Sequence, residues 1–316
     1  MMIDVFVRGI RIEAEDVRSF ELAPLEGSLP PWQAGAHVMV AAAPGLLRAY
    51  SLCNHPEEAD CYRIAVKRES TSRGGSASMH RLQVGDCLRI SEPANLFGID
   101  PEARTHLLLA GGIGITPLYA MRNALRARGA EVSLHAFVRS DAHACFQSRL
   151  CEGAVVHAGL DAAATRTRLD ALIAPHTADP HACFYLCGPA GFMDAAAAAL
   201  AARGVPASRI RSERFGAAPA ATITPAAAEG ARVRFARSGV EAALPAGSSI
   251  LSVARAHGVE IPTSCEVGVC GACQSRVLAG EPEHLDQYLS AAERAAGDSI
   301  LPCVSRCRTG LLVIDR

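Results

Sequence analysis

Apolar residues follow one rhythm over the first hundred positions of the chain. Short alternating or β-branched runs are separated there by Gly, Pro and Asn, and such runs are typical of antiparallel strands. A succession of short strands of this kind predicts a small antiparallel β-barrel over residues 1–103. The runs that carry this prediction are 3–10, 37–41, 62–67 and 87–90.

A second rhythm begins at about residue 104, where apolar strands alternate with longer helical stretches. This alternation predicts a parallel, doubly wound α/β sheet over residues 104–216. The predicted strands are 106–110, 132–138 and 182–186, and the predicted helices are 116–128 and 192–203.

An uncharged segment rich in Ala and Pro, residues 217–228, has no amphipathic period and is interpreted as an interdomain linker. The last part of the chain, 229–316, mixes short strands with one helix, which predicts a third, α+β domain. Its predicted strands are 232–236, 240–243 and 311–314, and its predicted helix is 249–256.

Composition and charge exclude several classes of function. The chain has 316 residues, half of them apolar, and a formal charge of −1, with the basic residues spread along it. Nucleic acid is therefore not an expected partner. The first residues have no basic region followed by an apolar core, and no stretch reaches eighteen apolar residues, so we expect a cytoplasmic protein without membrane association.

The strongest chemical signal is a group of cysteines near the C-terminal end. Cys265, Cys270 and Cys273 lie in one short loop, and twenty-nine residues separate Cys273 from Cys303. Three thiolates in a loop plus one distant thiolate is the plant-type ferredoxin spacing for a two-iron, two-sulfur cluster. The loop must wrap the cluster closely, and glycines within it let backbone N–H groups approach the sulfurs.

Two alternatives to this ligand set stay open. Cys307 lies four residues beyond Cys303 and is a rival for the fourth ligand, although its spacing fits less well. A zinc site is the second alternative, but zinc sites favour two Cys-x₂-Cys pairs. Eight of the twelve cysteines need no metal, because a free thiol is a common small core residue.

Two segments of the predicted barrel indicate a flavin site. Arg48-Ala-Tyr-Ser51 ends one strand and offers a positive charge and an aromatic face. Gly74-Gly75-Ser76 precedes a helix predicted at 79–82, so its backbone N–H groups can meet a phosphate. Each segment also has an ordinary interpretation, as a strand with a buried tyrosine or as a simple turn.

Two further segments indicate a nucleotide site at the carboxyl edge of the parallel sheet. Gly111-Gly-Ile-Gly114 follows an apolar strand and opens a helix, and Cys187-Gly188-Pro189 does the same later in the chain. Open α/β sheets bind ligands at such places. The first segment is not the Gly-x-Gly-x-x-Gly fingerprint, and a tight strand-to-helix turn stays the alternative for both.

In this order, the motifs resemble those of the phthalate dioxygenase reductase family, which includes the reductase components of vanillate O-demethylase and carnitine monooxygenase. The resemblance spans nearly the whole chain. It implies an FMN-binding barrel, an NADH-binding domain and a C-terminal ferredoxin domain of the β-grasp type. The motifs that carry it are residues 48–54, 64–68, 73–76, 111–117, 187–189 and 213–215, together with the cysteine loop.

The resemblance also implies roles for individual residues. The residues implied to bind FMN are Arg48, Tyr50, Ser51, Ala65, Val66, Lys67, Gly74, Gly75, Ser76, Thr116 and Phe215. The residues implied to bind NADH are Gly111, Gly112, Gly114, Cys187, Gly188 and Pro189, with Cys187 beside the nicotinamide. The implied metal ligands are Cys265, Cys270, Cys273 and Cys303.

The sequence thus predicts an oxidoreductase in which cofactors carry the chemistry and no acid–base side chain is required. The resemblance implies a monomeric reductase whose acceptor is a Rieske-type, non-haem iron oxygenase, with a P450 as the second candidate. A redox sensor and a diaphorase without a dedicated acceptor are the alternatives. Residues 138–140 are Val-Arg-Ser, which leaves the preference for NADH over NADPH open, since arginine can receive a 2′-phosphate.

Overall fold

The computed structural model of the chain divides into two compact units. The first consists of Met1–Ala42 with Tyr50–Gly216, and the second of Ala43–Ala49 with Ala217–Arg316. The division into domains at 103, 216 and 228 stays a prediction. The described residues are 2–43, 46–70, 74–150, 153–215, 230–245, 247–263, 266, 268, 271–286, 288–289, 291–308 and 310–316.

Six antiparallel strands form the first sheet, in the order β4-β3-β6-β1-β2-β5. A bridge between Leu52 and Ile64 links the chain just beyond β4 to β5, so the two edges of the sheet approach each other. The predicted antiparallel barrel is therefore confirmed. The strands are β1 (Met2–Ala14), β2 (Val17–Pro24), β3 (His37–Ala43), β4 (Leu46–Ser51), β5 (Tyr62–Lys67) and β6 (Cys87–Ser91).

The helix that follows β5 begins earlier than the sequence predicts. Helix α1 is Gly75–Met79, whereas the sequence predicts a helix over 79–82. Gly74 has φ 102°, a left-handed conformation that glycine adopts without strain, and it ends the preceding loop. The helix therefore starts directly at Gly75, so Gly75 and Ser76 lie in its first turn instead of in a loop before it.

Five parallel strands form the second sheet, in the order β11-β10-β7-β8-β9. The chain runs from β7 outward to β9 and then returns to the other side of β7, so the carboxyl ends of β7 and β10 flank a topological switch point. The predicted α/β sheet is confirmed. The strands are β7 (Thr105–Gly111), β8 (Glu131–Val138), β9 (Ala154–Ala158), β10 (Ala182–Gly188) and β11 (Ile210–Arg214).

Three helices connect these parallel strands, and their apolar side chains cover the sheet. Leu118 and Met121 join the core that also contains strand residues of the barrel, while Leu169 and Leu200 belong to a separate core with Phe184. The apolar side of each helix is thus buried against the sheet, whose strands are apolar on both faces, as in parallel sheets generally. The helices are α2 (Ile115–Ala127), α3 (Ala162–Ile173) and α4 (Ala190–Ala202).

The second unit contains a five-stranded mixed sheet in the order β13-β12-β18-β14-β16 and a small two-stranded sheet, β15-β17. Its own core includes Phe235, Ile250 and Leu312. This arrangement agrees with the predicted α+β ferredoxin domain. The elements are β12 (Arg232–Phe235), β13 (Val240–Ala243), α5 (Ile250–Ala256), β14 (Ser275–Ala279), β15 (Pro282–Glu283), α6 (Ala291–Ala296), β16 (Ser299–Ile300), β17 (Arg306–Cys307) and β18 (Leu311–Ile314).

Within the described part of the chain, each helix is too short or too polar to cross a membrane. The predicted linker, 217–228, lies outside the described residues.

Candidate functional site

The turn between β7 and α2 requires glycine at its last position. A single 3₁₀ turn, Gly112–Gly114, joins the strand to the helix. A Cβ atom on Gly114 would lie 2.2 Å from the carbonyl oxygen of Cys187, which is backbone and cannot move aside. Glycine therefore allows the start of α2 to pack directly against the end of β10.

Glycines also end both strands at the switch point. A Cβ atom on Gly188 would lie 2.9 Å from the Cα atom of Gly111, and one on Gly111 would lie 2.9 Å from the ring of Phe192. Gly112, in contrast, has φ +53° and open space where a Cβ atom would stand. The backbone is therefore bare on the side where a ligand would approach, as a pyrophosphate group requires.

A cavity of about 740 Å³ opens at the carboxyl ends of β7, β8, β9 and β10. This volume lies within the range of small-molecule sites. Three residues predicted to bind the nucleotide, Gly111, Gly112 and Pro189, line it, and so do Lys67 and Phe215, which the sequence assigns to the flavin. The other predicted nucleotide residues, Gly114, Cys187 and Gly188, form the packed backbone beneath these turns.

A buried carboxyl group lies beside Cys187; it belongs to Glu213, which the sequence placed in the motif 213–215 without a role of its own. Glu213 is the register partner of Cys187 on the neighbouring parallel strand. Its Oε2 atom is buried, with no hydrogen-bond partner among the described residues. Burial raises the pKa of Glu213 to about 7. Burial, followed by the nearby Glu213 carboxylate, also raises the pKa of the Cys187 thiol, so this thiol is protonated at neutral pH.

Thr116 and Phe215, both predicted to approach the flavin, belong to the first unit. The backbone N–H of Phe215 donates to the carbonyl of Gly188 at 3.3 Å, which fixes the chain where it leaves β11. The Thr116 hydroxyl is buried and donates to the carbonyl of Ile113 at 3.1 Å. Thr116 is thereby held in the first turn of α2, directly after the glycine turn.

Backbone groups of β5 point alternately toward β2 and toward the opposite edge of the strand. The carbonyl of Arg63 accepts from the N–H of Cys53 on the edge away from β2, so Ala65 and Lys67 present their backbone groups on that edge as well. Val66 faces β2, and its carbonyl accepts from the ring of His80 at 2.8 Å. Ala65 and Lys67 are thus better placed than Val66 for a backbone contact with a flavin.

The remaining predicted flavin residues lie on β4 and α1. Arg48, Tyr50 and Ser51 are all part of β4, and Ser51 is buried. The hydroxyl oxygen of Ser76 accepts from the N–H of Glu69 at 3.1 Å, which ties α1 to the end of β5. This bond uses the oxygen as an acceptor and leaves the hydroxyl hydrogen for a phosphate.

Two of the four predicted metal ligands meet in the second unit. The sulfur atoms of Cys273 and Cys303 are 3.2 Å apart, and both side chains are buried. Antiparallel pairing of Ser275 with Ile300 on β14 and β16 brings the two segments together. Two adjacent thiols can ligate the same metal ion. Cys265 and Cys270 lie outside the described residues.

Both glycines of the cysteine loop have left-handed conformations, with φ +77° at Gly268 and +71° at Gly271. A Cβ atom on Gly271 would lie 2.3 Å from the ring of Tyr288, and one on Gly268 would lie 2.6 Å from the side chain of Val304. Conformation and packing therefore both demand glycine here, in addition to the backbone approach to sulfur that the sequence predicts.

An arginine that the sequence analysis missed lies next to Cys273. The guanidinium group of Arg316 donates to the carbonyl of Gln274 at 2.7 Å and to the hydroxyl of Ser275 at 2.9 Å. The Ser275 hydroxyl in turn donates to the carbonyl of Cys273 at 3.0 Å. This chain of bonds places a positive charge beside a predicted ligand, an arrangement that spacing alone does not reveal.

Comparison with known proteins connects these features. A family model described as the 2Fe-2S iron-sulfur cluster binding domain matches residues 233–308. Across 321 aligned residues the chain is 41% identical to a vanillate O-demethylase oxidoreductase of Pseudomonas putida, with 99% of this chain and 100% of that relative covered.

Solved structures agree with the sequence comparison. Phthalate dioxygenase reductase matches with a TM-score of 0.70 and 34% identity, over 100% of this chain and 98% of that one. An intact type IV self-sufficient cytochrome P450 monooxygenase matches with a TM-score of 0.79 and 32% identity, over 100% of this chain but 41% of that longer chain.

Proposed function

The chain belongs to the phthalate dioxygenase reductase family, and we propose that it passes electrons from NADH through FMN and a two-iron, two-sulfur cluster to a Rieske-type, non-haem iron oxygenase. The observation that carries the proposal is the presence, in one chain, of a nucleotide-sized cavity at the glycine turns and a buried pair of neighbouring cysteines. Neither a simple diaphorase nor an isolated ferredoxin needs both.

The glycine turns are the part of the chain that would hold the dinucleotide. Gly111 and Gly112 expose backbone at the end of β7, and Pro189 begins the corresponding turn after β10. Cys187, neutral and buried beneath this surface, would support the nicotinamide without adding charge. The residues therefore fit a pyridine nucleotide whose reactive ring lies near the switch point.

The flavin would be held by β4, the end of β5 and α1. Tyr50 offers a ring face, Ala65 and Lys67 offer backbone groups, and Ser76 offers its hydroxyl hydrogen. Phe215 lines the same cavity as the glycine turns. A flavin ring packed against Phe215 would therefore lie in the same cavity as the nucleotide. A flavin accepts two electrons together and releases them singly, and an iron–sulfur cluster carries one electron at a time.

The cluster would be held by Cys265, Cys270, Cys273 and Cys303. The proximity of Cys273 and Cys303 supports Cys303 as the fourth ligand, whereas Cys307 lies in β17, paired with Pro282 of β15. The proposed division into a flavin barrel (1–103), a nucleotide domain (104–216), a linker (217–228) and a ferredoxin domain (229–316) then follows the path of the electrons.

We infer that the partner of the chain is an oxygenase, because its relatives include a phenoxybenzoate dioxygenase subunit and the reductase subunit of a toluene-4-sulfonate monooxygenase system. That the oxygenase is of the Rieske type, and that the reductase is a monomer, are parts of the proposal. The similarity to a self-sufficient P450 supports a haem oxygenase as the second candidate acceptor.

The test separates the two halves of the electron path in the holo-protein. NADH-dependent reduction of ferricyanide reports the nucleotide and flavin half, and reduction of cytochrome c reports exit through the cluster. We expect Cys273→Ser to abolish cytochrome c reduction and to retain ferricyanide reduction. Loss of neither activity would show that electrons bypass the cysteine site, and absence of both in the unaltered protein would contradict the proposal.

A further inference from the structure

The cavity continues past the glycine turns to a second end lined by arginines. The turns lie on β7 and β10, whereas Arg139 directly follows β8 and Arg166 projects from α3. Both arginines line the same cavity as Gly111. Because β8 is the neighbour of β7 and β9 is the next strand beyond it, the ends of these two strands lie roughly 5–10 Å from the switch point. That distance is suited to the adenosine half of a dinucleotide bound by its pyrophosphate at the turns.

This end of the cavity carries uncompensated positive charge. Among the described residues, neither Arg139 nor Arg166 forms an ion pair or hydrogen bond with a carboxylate. The two carboxylates on the cavity lining, Asp16 and Glu69, are both paired with Lys67, at 3.8 and 2.9 Å. The arginine pair therefore faces the cavity with a formal charge of +2.

The position at which an acidic residue would select NADH is occupied by a basic residue in this chain, Arg139. In nucleotide sites of this topology an acidic residue at the end of the second strand binds the ribose 2′-hydroxyl, and an arginine accommodates a 2′-phosphate. Strand β8 is the next strand after the glycine turn, and it ends at Val138, with Arg139 directly after it. Asp141, the next carboxylate along the chain, is not part of the cavity lining. Among the described residues, no carboxylate at the end of β8 lines the cavity, so none stands beside Arg139 to repel a phosphate.

We propose that Arg139 and Arg166 form a subsite for the 2′-phosphate monoester of an adenine nucleotide, so that the chain accepts NADPH as well as NADH. Leu160 and Ala162 also line this end and offer apolar surface for the adenine ring. The inference rests on the proposed function, because it assigns the adenosine half of the same nucleotide site.

The test is a binding measurement on the holo-protein that does not depend on turnover. Isothermal titration calorimetry at one fixed ionic strength compares adenosine 2′,5′-bisphosphate, adenosine 5′-monophosphate and inorganic phosphate. We expect the bisphosphate to bind at least about tenfold more tightly than the monophosphate, because each phosphate–arginine pair is a charge-assisted interaction. Inorganic phosphate should bind far more weakly than either nucleotide, since it lacks the adenine contacts.

Three variants make the assignment specific. Arg139→Ala and Arg166→Ala should each reduce the preference for the bisphosphate and leave the affinity for the monophosphate within about twofold. Arg139→Asp should reverse the preference. Arg168→Ala is the matched control, because Arg168 is exposed on the same helix but does not line the cavity, and it should keep the preference of the unaltered protein.

The outcomes distinguish this inference from the proposed function. Equal affinity for the two nucleotides, or equal losses in Arg139→Ala and Arg168→Ala, would overturn the subsite while NADH binding is retained. Failure of NADH and both adenine nucleotides to bind would overturn the nucleotide site itself, and the subsite with it.

Discussion

The Sγ atoms of Cys273 and Cys303 lie 3.2 Å apart, although twenty-nine residues separate the two cysteines in the chain. The pairing of Ser275 with Ile300 on neighbouring strands produces this proximity. Thiolates that ligate one metal ion must lie about this close to each other. The proximity also separates Cys303 from Cys307, which the cysteine spacing alone leaves as rivals.

The first prediction concerns the identity of the fourth ligand. We expect Cys303→Ser to lose the cluster, since a hydroxyl is a poor substitute for a thiolate. Cys307→Ser is the matched control, because Cys307 is also buried in the second unit. The Cys307→Ser protein should keep its iron. Iron and acid-labile sulfide per chain are the measurement. Retention of iron in Cys303→Ser together with its loss in Cys307→Ser would reverse the assignment.

The second prediction concerns the glycine turn. A methyl group on Gly114 would meet the Cys187 carbonyl, so Gly114→Ala should destabilise the first unit by about 1–3 kcal/mol and weaken NADH binding. Denaturant unfolding and an NADH titration measure the two effects. Gly98→Ala is the control, because its nearest new contact is Asn95 at 3.8 Å, an ordinary distance. Equal stability of the two variants would show that the close packing is not a constraint.

The third prediction concerns the charge beside the cluster. Reduction adds negative charge, and the guanidinium of Arg316 beside Cys273 stabilises it, so Arg316→Gln should lower the reduction potential of the cluster. About 1 kcal/mol of lost stabilisation corresponds to a decrease on the order of 40 mV for one electron.

A potentiometric titration followed by electron paramagnetic resonance measures this shift. Arg276→Gln removes the same charge from β14, but Arg276 is exposed and alternates with the buried Ser275 and Val277. The control should therefore shift the potential much less. A potential that is unchanged in Arg316→Gln, with the cluster intact, would contradict the role of this arginine.

The fourth prediction concerns the buried carboxyl group of Glu213. Its pKa is raised to about 7 by burial, so the folded protein keeps this proton at pH values where the unfolded chain has already released it. The folded state binds more protons between about pH 4.5 and 7, and its stability should therefore decrease as the pH rises through this window. The loss is roughly 3–4 kcal/mol in total, at about 1.4 kcal/mol per unit of pKa.

Glu213→Gln should remove this pH dependence, because an amide has no proton to release. Unfolding free energies of the first unit at pH 5, 6, 7 and 8 test it, with Glu131→Gln at the exposed start of β8 as the control. If the Glu213 variant and the unaltered protein lose stability in parallel with pH, the carboxyl group is not the source of the effect.

Local sequence patterns predicted the larger part of the fold. Strands β5, β13 and β18 have the predicted bounds, because alternating or β-branched runs between turn residues carry their own boundaries. The predicted start of α1 was wrong, because the pair Gly74-Gly75 is typical of a turn that precedes a helix, whereas the helix begins at Gly75 itself. Strands β2, β9 and β11 and helix α3 were not predicted; β9 and β11 are short and lie at the two edges of their sheet.

Contacts that depend on how strands and helices pack together could not be predicted from the sequence. Glu213 meets Cys187 only because β10 and β11 are parallel neighbours in one particular register. Arg139 and Arg166 line one cavity although they belong to a strand end and a helix. The cysteine spacing could be recognised in the sequence, because an iron–sulfur cluster requires several thiolates within one short loop, whatever the surrounding fold.

We propose that one chain takes reducing equivalents as a pair from NADH and releases them singly through iron. The decisive experiment is an anaerobic titration of the purified holo-protein with NADH, followed by visible absorption and low-temperature electron paramagnetic resonance. We expect bleaching of the flavin band together with the signal of a reduced two-iron cluster, and loss of that signal in Cys273→Ser. An intact protein with neither iron nor acid-labile sulfide, and no spectral response to NADH, would rule out this electron path.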